Sequence, residues 1–205
     1  MSAKSNGRVG SVRIIFIRHG QTQSNTGHLL DTGFPGASLD DVGLAQAERL
    51  PDRLAAEPIE VVMTSDITRA RQTGEPLAKA LGVPMIIHPG VREIYAGDWD
   101  MSPDWKDYVA MVASWTQDLT RSLPHGDDGV SFFNRFDAAI GELEEYDCAA
   151  VVSHGGALRC WLGERCDIDM GTDTAWVLDN TDTVVVEGTP GAWSILSWGD
   201  RDLTR

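Results

Sequence analysis

In Arg13-Ile14-Ile15-Phe16-Ile17-Arg18-His19-Gly20-Gln21-Thr22, a β-branched and aromatic run gives way abruptly to charged and small residues. Such a run predicts a buried strand, residues 13–17, that hands Arg18, His19 and Gly20 to the loop behind it. Similar short apolar runs at 61–63, 85–87, 149–152 and 183–186 predict further strands. Helical spacing fills the intervals. Asp40 is placed to cap a helix over about 42–56, which Pro51 must kink or interrupt. Ile67, Ala70, Leu77, Ala78 and Leu81 recur at helical spacing behind Ser65 and Asp66, either of which can cap, with Pro76 marking a kink or a restart. Helices also fit 132–146 and 157–163. Strands alternating with helices predict an α/β fold, three layers α/β/α with a mainly parallel central sheet. In such sheets the site lies beyond the carboxyl ends of the strands, so the chemistry belongs in strand-to-helix loops. Residues 193–198 are expected as an edge strand, in a terminal hairpin with 183–187.

The chain of 205 residues suits one compact domain, with roughly 70% of the unfolded chain's surface buried at this size. Residues 1–12 read as a flexible N-terminal tail without the apolar core of a signal peptide, and residues 13–205 as the domain. The least regular stretch, 97–119, carries Trp99, Trp105, Tyr108 and Trp115 and marks an insertion at about 98–130 over the site loops. Its aromatic residues suit packing and substrate contact equally well. With 42% hydrophobic and 23% charged residues the composition is that of a soluble protein, and no run reaches the length of a membrane span. A net charge of -14 opposes capture of nucleic acid or of an anionic membrane. An anionic small substrate stays compatible with it if a few arginines share one cleft. Cys148, Cys160 and Cys166 are odd in number and lack a C-x-x-C spacing, which suits inert thiols in a reducing, cytoplasmic compartment.

Four segments carry candidate chemistry. Arg18-His19-Gly20-Gln21-Thr22 with Asn25 resembles the R-H-G-[EQ]-T-x-x-N motif of the histidine phosphatase superfamily, the phosphoglycerate mutase-like proteins. Ser65-Asp66-Ile67-Thr68-Arg69-Ala70-Arg71-Gln72-Thr73 is similar to the family's S-D-x-x-R-A-x-Q-T segment. Glu93-Ile94-Tyr95-Ala96-Gly97-Asp98-Trp99 resembles E-x-x-x-G-x-W, and Ser153-His154-Gly155-Gly156 resembles S-H-G-G. All four occur in family order. The resemblance implies a phosphoglycerate mutase-like fold and a phosphatase working through a phosphohistidine on His19. It also implies that Arg18, Asn25, Arg69, His154, Gly155 and Gly156 hold the phosphoryl group and that Glu93 is the acid. Two segments depart from the pattern: residues 27–33 lack the family's Gln-Gly pair and arginine, and residues 126–131 stand in place of G-G-E-S.

The residue types suit that chemistry independently. A histidine attacks phosphorus only through a neutral ring nitrogen, and a carbonyl accepting from the other nitrogen fixes that tautomer. Gly20 lets the chain turn closely enough to supply one. Three equatorial oxygens carry the charge of the transferring group. Arg18 and Arg69 offer planar forks of donors whose charge cannot be lost. His154 and Asn25 add donors, and the Gly155-Gly156 turn opening a helix can aim N–H groups at an oxygen. A partly desolvated Glu93 beside a phosphate keeps its proton for the leaving alcohol and then serves as base toward water. Arg71 fits a solvated helix charge, and His28, His88 and His125 fit structural or solvated positions. Glu93 as a plain surface carboxylate is the alternative for that residue.

The competing activities are a phosphoglycerate mutase and a catalytically silent phosphate-binding module. Mutases of the family usually have E-R-H-Y-G around the acid and a longer lid, and residues 94–97 lack that pattern. A binding module has no need of a nucleophile and an acid together. Five scattered histidines do not supply metal-ligand spacing, so no metal or other cofactor is expected, and no loop for nucleotide phosphates or dinucleotides is present. The partner expected is a small phosphorylated substrate.

Overall fold

In a computed structural model, residues 10–168 and 176–204 are described; most of the expected tail, residues 1–9, lies outside them. Seven strands form one sheet: β1 (Val12–Arg18), β2 (Val61–Thr64), β3 (Met85–Ile87), β4 (Cys148–Ser153), β5 (Thr183–Thr189), β6 (Ala192–Trp198) and β7 (Arg201–Asp202). Their order is β3-β2-β4-β1-β5-β6-β7. The first four of these are mutually parallel, whereas β5, β6 and β7 run antiparallel to their neighbours. β1 begins at Val12, which is buried, one residue inside the expected tail.

Successive side chains of β1 face opposite ways, and both faces are covered. Ile14 and Phe16 join α6 (Gly129–Gly141) and α7 (Gly155–Arg165) in one core, where the Phe16 ring lies 5.3 Å from Trp161. Ile15 and Ile17 join α3 (Leu50–Arg53) and α4 (Thr68–Leu81) in the other. This is the three-layer α/β/α arrangement the sequence predicts. Each large apolar side chain buried this way contributes about 1.5–3 kcal/mol. β4 is buried at all six positions because it is central to the sheet and covered on both faces, hence its continuous apolar run.

Several local expectations change. Asp40 caps α2 (Asp41–Ala47) by accepting from Gly43 N–H, and Pro51 sits in the first turn of the separate α3, where its missing N–H costs nothing. α4 starts two residues later than a Ser65 cap requires and one later than an Asp66 cap. Ile67 is its N-cap without a side-chain bond, Ser65 Oγ accepts from Ile67 N–H at 3.2 Å, and the Asp66 carboxylate is bonded to Arg92. α4 also runs through Pro76 without a restart, because its buried stripe of Ala70, Thr73, Leu77 and Ala78 packs on the sheet on both sides of the proline. α6 begins at Gly129, three residues before the predicted start, because Asp128 caps it. β6 is not the edge: the left-handed Gly199 lets the chain turn back as β7, which pairs outside it.

The irregular stretch holds α5 (Lys106–Ala113) and short 3-10 turns. Tyr108 and Trp115 are buried in the α6/α7 core, so these two serve packing, while Trp105 is 40% exposed and donates from Nε1 to the His28 carbonyl. Among the described residues, no helix is long and apolar enough to cross a membrane.

Candidate active site

The parallel register of β1 with β4 sets Arg18 opposite Ser153, so His19 and His154, the next residues of each strand, emerge side by side with ring centroids 5.2 Å apart. β2 ends in register beside β4, and α4 behind it brings in Arg69. The His19 loop is pressed onto the start of α2: a Cβ on Gly20 would lie 2.7 Å from the Gly43 carbonyl oxygen. Gly20 N–H donates to Thr73 Oγ1 at 2.9 Å, which ties the loop to α4.

His19 is 4% exposed. Its Nδ1 lies 2.7 Å from the Gly20 carbonyl oxygen, so Nδ1 carries the proton and donates it there. Nε2 is left with a lone pair, which accepts from Arg69 Nε at 3.0 Å. Burial first, then the charges of Arg69 and Arg18, push the imidazole pKa well below its ordinary value. His154 is driven the same way by burial and then by Arg69. Both of its ring nitrogens are buried with no hydrogen-bond partner among the described residues.

These two depressed groups fix a sign for stability. Near an unfolded value of 6.5 the unfolded rings take up protons while the folded ones stay neutral, so acidification favours the unfolded chain. From pH 6.5 downward, until the folded rings protonate, each ring should remove up to about 1.4 kcal/mol of stability per pH unit. Urea titrations across that range on the wild type and on His154→Asn check it: the variant should show the shallower slope, and equal slopes would exclude a depressed His154.

Arg18 donates from Nη1 to the Leu178 carbonyl at 2.5 Å, and its Nε is buried without a partner among the described residues. Arg69, 2% exposed, donates from Nη2 to the Asp31 carbonyl at 2.7 Å, and its Nη1 stands 3.4 Å from Asp31 Oδ1. Asp31 is itself fixed, its Oδ2 accepting from Ser24 Oγ at 2.8 Å and from Ala37 N–H at 3.0 Å. Asn25 closes a capping box with Thr22 on α1 (Gln23–Thr26), and its Oδ1 also accepts from Asn180 Nδ2 at 3.2 Å. The same Asn180 amide donates to the His19 carbonyl at 2.9 Å, linking the two residues.

Glu93 sits at the N-terminus of α7, where the helix dipole favours a carboxylate. It accepts from Gly156 N–H at 3.0 Å, Ala157 N–H at 2.6 Å and Ile94 N–H at 2.9 Å. The Gly156 N–H is therefore directed at Glu93 rather than at a phosphate oxygen. Gly156 lets the carboxylate come this close, since a Cβ would lie 2.9 Å from Glu93 Oε1 and displace it. Gly155 instead lies against Arg18, where a Cβ would stand 3.3 Å from Nε. Arg71 is exposed. Among the described residues, no group of three or more His, Cys, Asp or Glu side chains is placed to hold a metal ion.

The sequence reading missed the residues that hold this constellation. Asp31 grips Arg69 from the loop that departs from the family pattern, and only that departure hinted at it. Asn180 bridges His19 and Asn25 from a loop with no motif. Arg135, an ordinary helix charge by sequence, donates to the carbonyls of Gly90, Arg92 and Glu93 and to Asp127, fixing the segment that carries Glu93.

Residues 14–201 match the sequence profile of the histidine phosphatase superfamily (branch 1). The PE-PGRS family protein PE_PGRS11 of Mycobacterium tuberculosis is 30% identical over 92% of this chain, which spans only 36% of that protein's length. The adenosylcobalamin/alpha-ribazole phosphatase of Escherichia coli is 29% identical over 80% of this chain and 83% of its own. The crystal structure of the alpha-ribazole phosphatase from Shigella flexneri superposes with a TM-score of 0.72 at 25% identity, covering 95% of this chain and 99% of that one. With four motifs converging on one buried histidine pair and a profile match along nearly its whole length, the chain belongs to the histidine phosphatase superfamily, branch 1, and is an enzyme of the phosphatase class.

Proposed function

We propose that this protein hydrolyses small phosphomonoesters through a phosphohistidine on Nε2 of His19. The observation that carries this is the His19 tautomer: a proton held on Nδ1 by the Gly20 carbonyl, a lone pair on Nε2, and the buried Arg69 with the half-buried Arg18 around it. An entering phosphate takes over the Arg69 Nε–H as acceptor, which frees the lone pair it will meet. Arg18 Nε, Arg69 Nη1 and a ring N–H of His154, buried donors without hydrogen bonds among the described residues, suit the three equatorial oxygens. The NH2 of Asn25 and the N–H of Gly155 add neutral donors, and Gly156 serves by holding Glu93.

In the first step the Nε2 pair forms a bond to phosphorus as the ester P–O bond breaks, and the departing alkoxide takes from Glu93 the proton that the carboxylate has taken up from the entering phosphate monoanion. In the second, Glu93 takes a proton from water, the oxygen attacks phosphorus, and the P–N bond breaks to return neutral His19 and free phosphate. The work is cytoplasmic, a placement supported by the free thiols of Cys148, Cys160 and Cys166.

Glu93→Gln tests the scheme. It keeps size and removes the proton chemistry, so turnover of alkyl phosphates should fall roughly 10²- to 10⁴-fold, and aryl phosphates, whose phenolate leaves unaided, should lose far less in the first step. Without its base, the variant should accumulate an acid-labile phosphoenzyme when quenched with labelled aryl phosphate. Equal losses on both substrates with no trapped phosphoenzyme would move the acid role elsewhere, with His154 next in place. Transfer of the trapped group to an added phosphoglycerate instead of water would make the enzyme a mutase.

A further inference from the structure

Beside Glu93 lies a pocket of about 490 Å³, lined among others by Thr32, Phe34, Arg92, Tyr95 and Arg135. That volume falls within the roughly 300–1,000 Å³ of small-molecule sites. It shares Glu93 with the constellation around His19, and another of its lining residues, Thr32, directly follows the Asp31 that holds Arg69. Phe34 and Tyr95 are 63% and 42% exposed, so two aromatic side chains are offered to solvent on its lining.

The charges of this pocket are already matched. The Arg92 guanidinium makes a two-pronged bond with Asp66, Nε to Oδ1 at 2.6 Å and Nη2 to Oδ2, and stacks at 5.1 Å on the Phe34 ring. Arg135 is taken up by three carbonyls and by Asp127. His88 Nε2 faces Glu142 at 3.3 Å, and Glu93 accepts three N–H bonds. The contrast is with Arg18 and Arg69 at the His19 end, which keep buried donors without hydrogen bonds among the described residues. A carboxylate entering the pocket would be desolvated without a free cation to meet it, whereas an uncharged ring gains aromatic contact.

We propose that this pocket receives the alcohol part of the substrate and selects an uncharged, ring-bearing alcohol over a carboxylate-bearing one, with Phe34 as the ring platform and the Asp66–Arg92 pair as the device that excludes carboxylates. The proposal rests on the phosphatase reading above. Three esters test it: a nucleoside 5′-monophosphate, glycerol 2-phosphate and 3-phosphoglycerate. The wild type should prefer the nucleoside ester to 3-phosphoglycerate by tenfold or more in kcat/KM. Phe34→Ala should lower the ratio of nucleoside ester to glycerol 2-phosphate about tenfold, through KM. Asp66→Asn, by releasing Arg92, should raise kcat/KM for 3-phosphoglycerate several-fold relative to glycerol 2-phosphate. A wild-type preference for 3-phosphoglycerate, or a Phe34→Ala loss equal on all three esters, overturns the proposal while leaving the phosphohistidine route intact. If Asp66→Asn does not fold, the Phe34 ratio decides alone, since that side chain is mostly exposed. No turnover of any ester and no phosphoenzyme in Glu93→Gln would overturn both.

Discussion

Replacing His19 by alanine is expected to lower phosphatase turnover of an aryl phosphate roughly ten-thousandfold or more, the scale of removing a covalent nucleophile. The reason is chemical: among the described residues, no neighbouring side chain presents a neutral lone pair in the same place. His154 is 5.2 Å away by ring centroid, and the four donors that fix the His19 loop come from backbone and side chains that the substitution does not touch. Those donors are His19 N–H to Ser153, Gly20 N–H to Thr73, Gln21 N–H to Gln46, and the Asn180 amide to the His19 carbonyl. The fold should therefore survive, and a circular dichroism melt beside steady-state kinetics separates lost chemistry from lost structure. Full turnover in a cleanly folded His19→Ala would rule out the covalent route.

Arg69→Ala should cost about 3–4 kcal/mol of transition-state stabilisation, the scale of removing one charge-stabilising donor in a dry site, and Arg18→Ala a similar amount. The two should differ in stability. Arg69 is ion-paired with Asp31, whose side chain is 8% exposed, and its removal strands a buried carboxylate. Arg18 bonds the Leu178 carbonyl, a neutral partner, so its loss should unfold the protein less. Arg69→Lys keeps a charge but not the fork, and it should recover more of the stability than of the kcat. Arg71→Ala, two residues along α4 and exposed, should be nearly silent in both measurements. A sensitive Arg71 beside a silent Arg69 would mean that the α4 segment had been read in the wrong register.

In α4 the sequence determines the buried face but not the cap. Ala70, Leu77 and Ala78 marked its buried face, and Arg69 could be singled out from Arg71 by the motif. The cap could not be read, because Asp66 has two suitors, the open end of the helix and the Arg92 guanidinium, and only the fold brings the second within reach. By local rules Pro76 marks a kink or a restart, yet the helix continues through it, with its buried stripe packed on both sides. The Gly155-Gly156 turn was read as a phosphate cradle, yet the nearest anion to Gly156 is the carboxylate of Glu93, brought from sixty-three positions away.

What the sequence by itself determined is local or borne by motif: the strands that lead into His19 and His154, the mainly parallel α/β class, the family, and residue types suited to a phosphoryl group. These are legible because strands covered on both faces read as short continuous apolar runs and the candidate residues sit immediately after them. Only the tertiary structure decided that β4 lies beside β1, which sets the two histidines together, and that Asp31, Asn180 and Arg135 hold Arg69, Asn25 and Glu93 in place. Those partners come from loops and helices whose local patterns carry no mark of the contact. Their identity depends on which strands pair across more than a hundred residues, and the free energy of that choice is spread over the whole core.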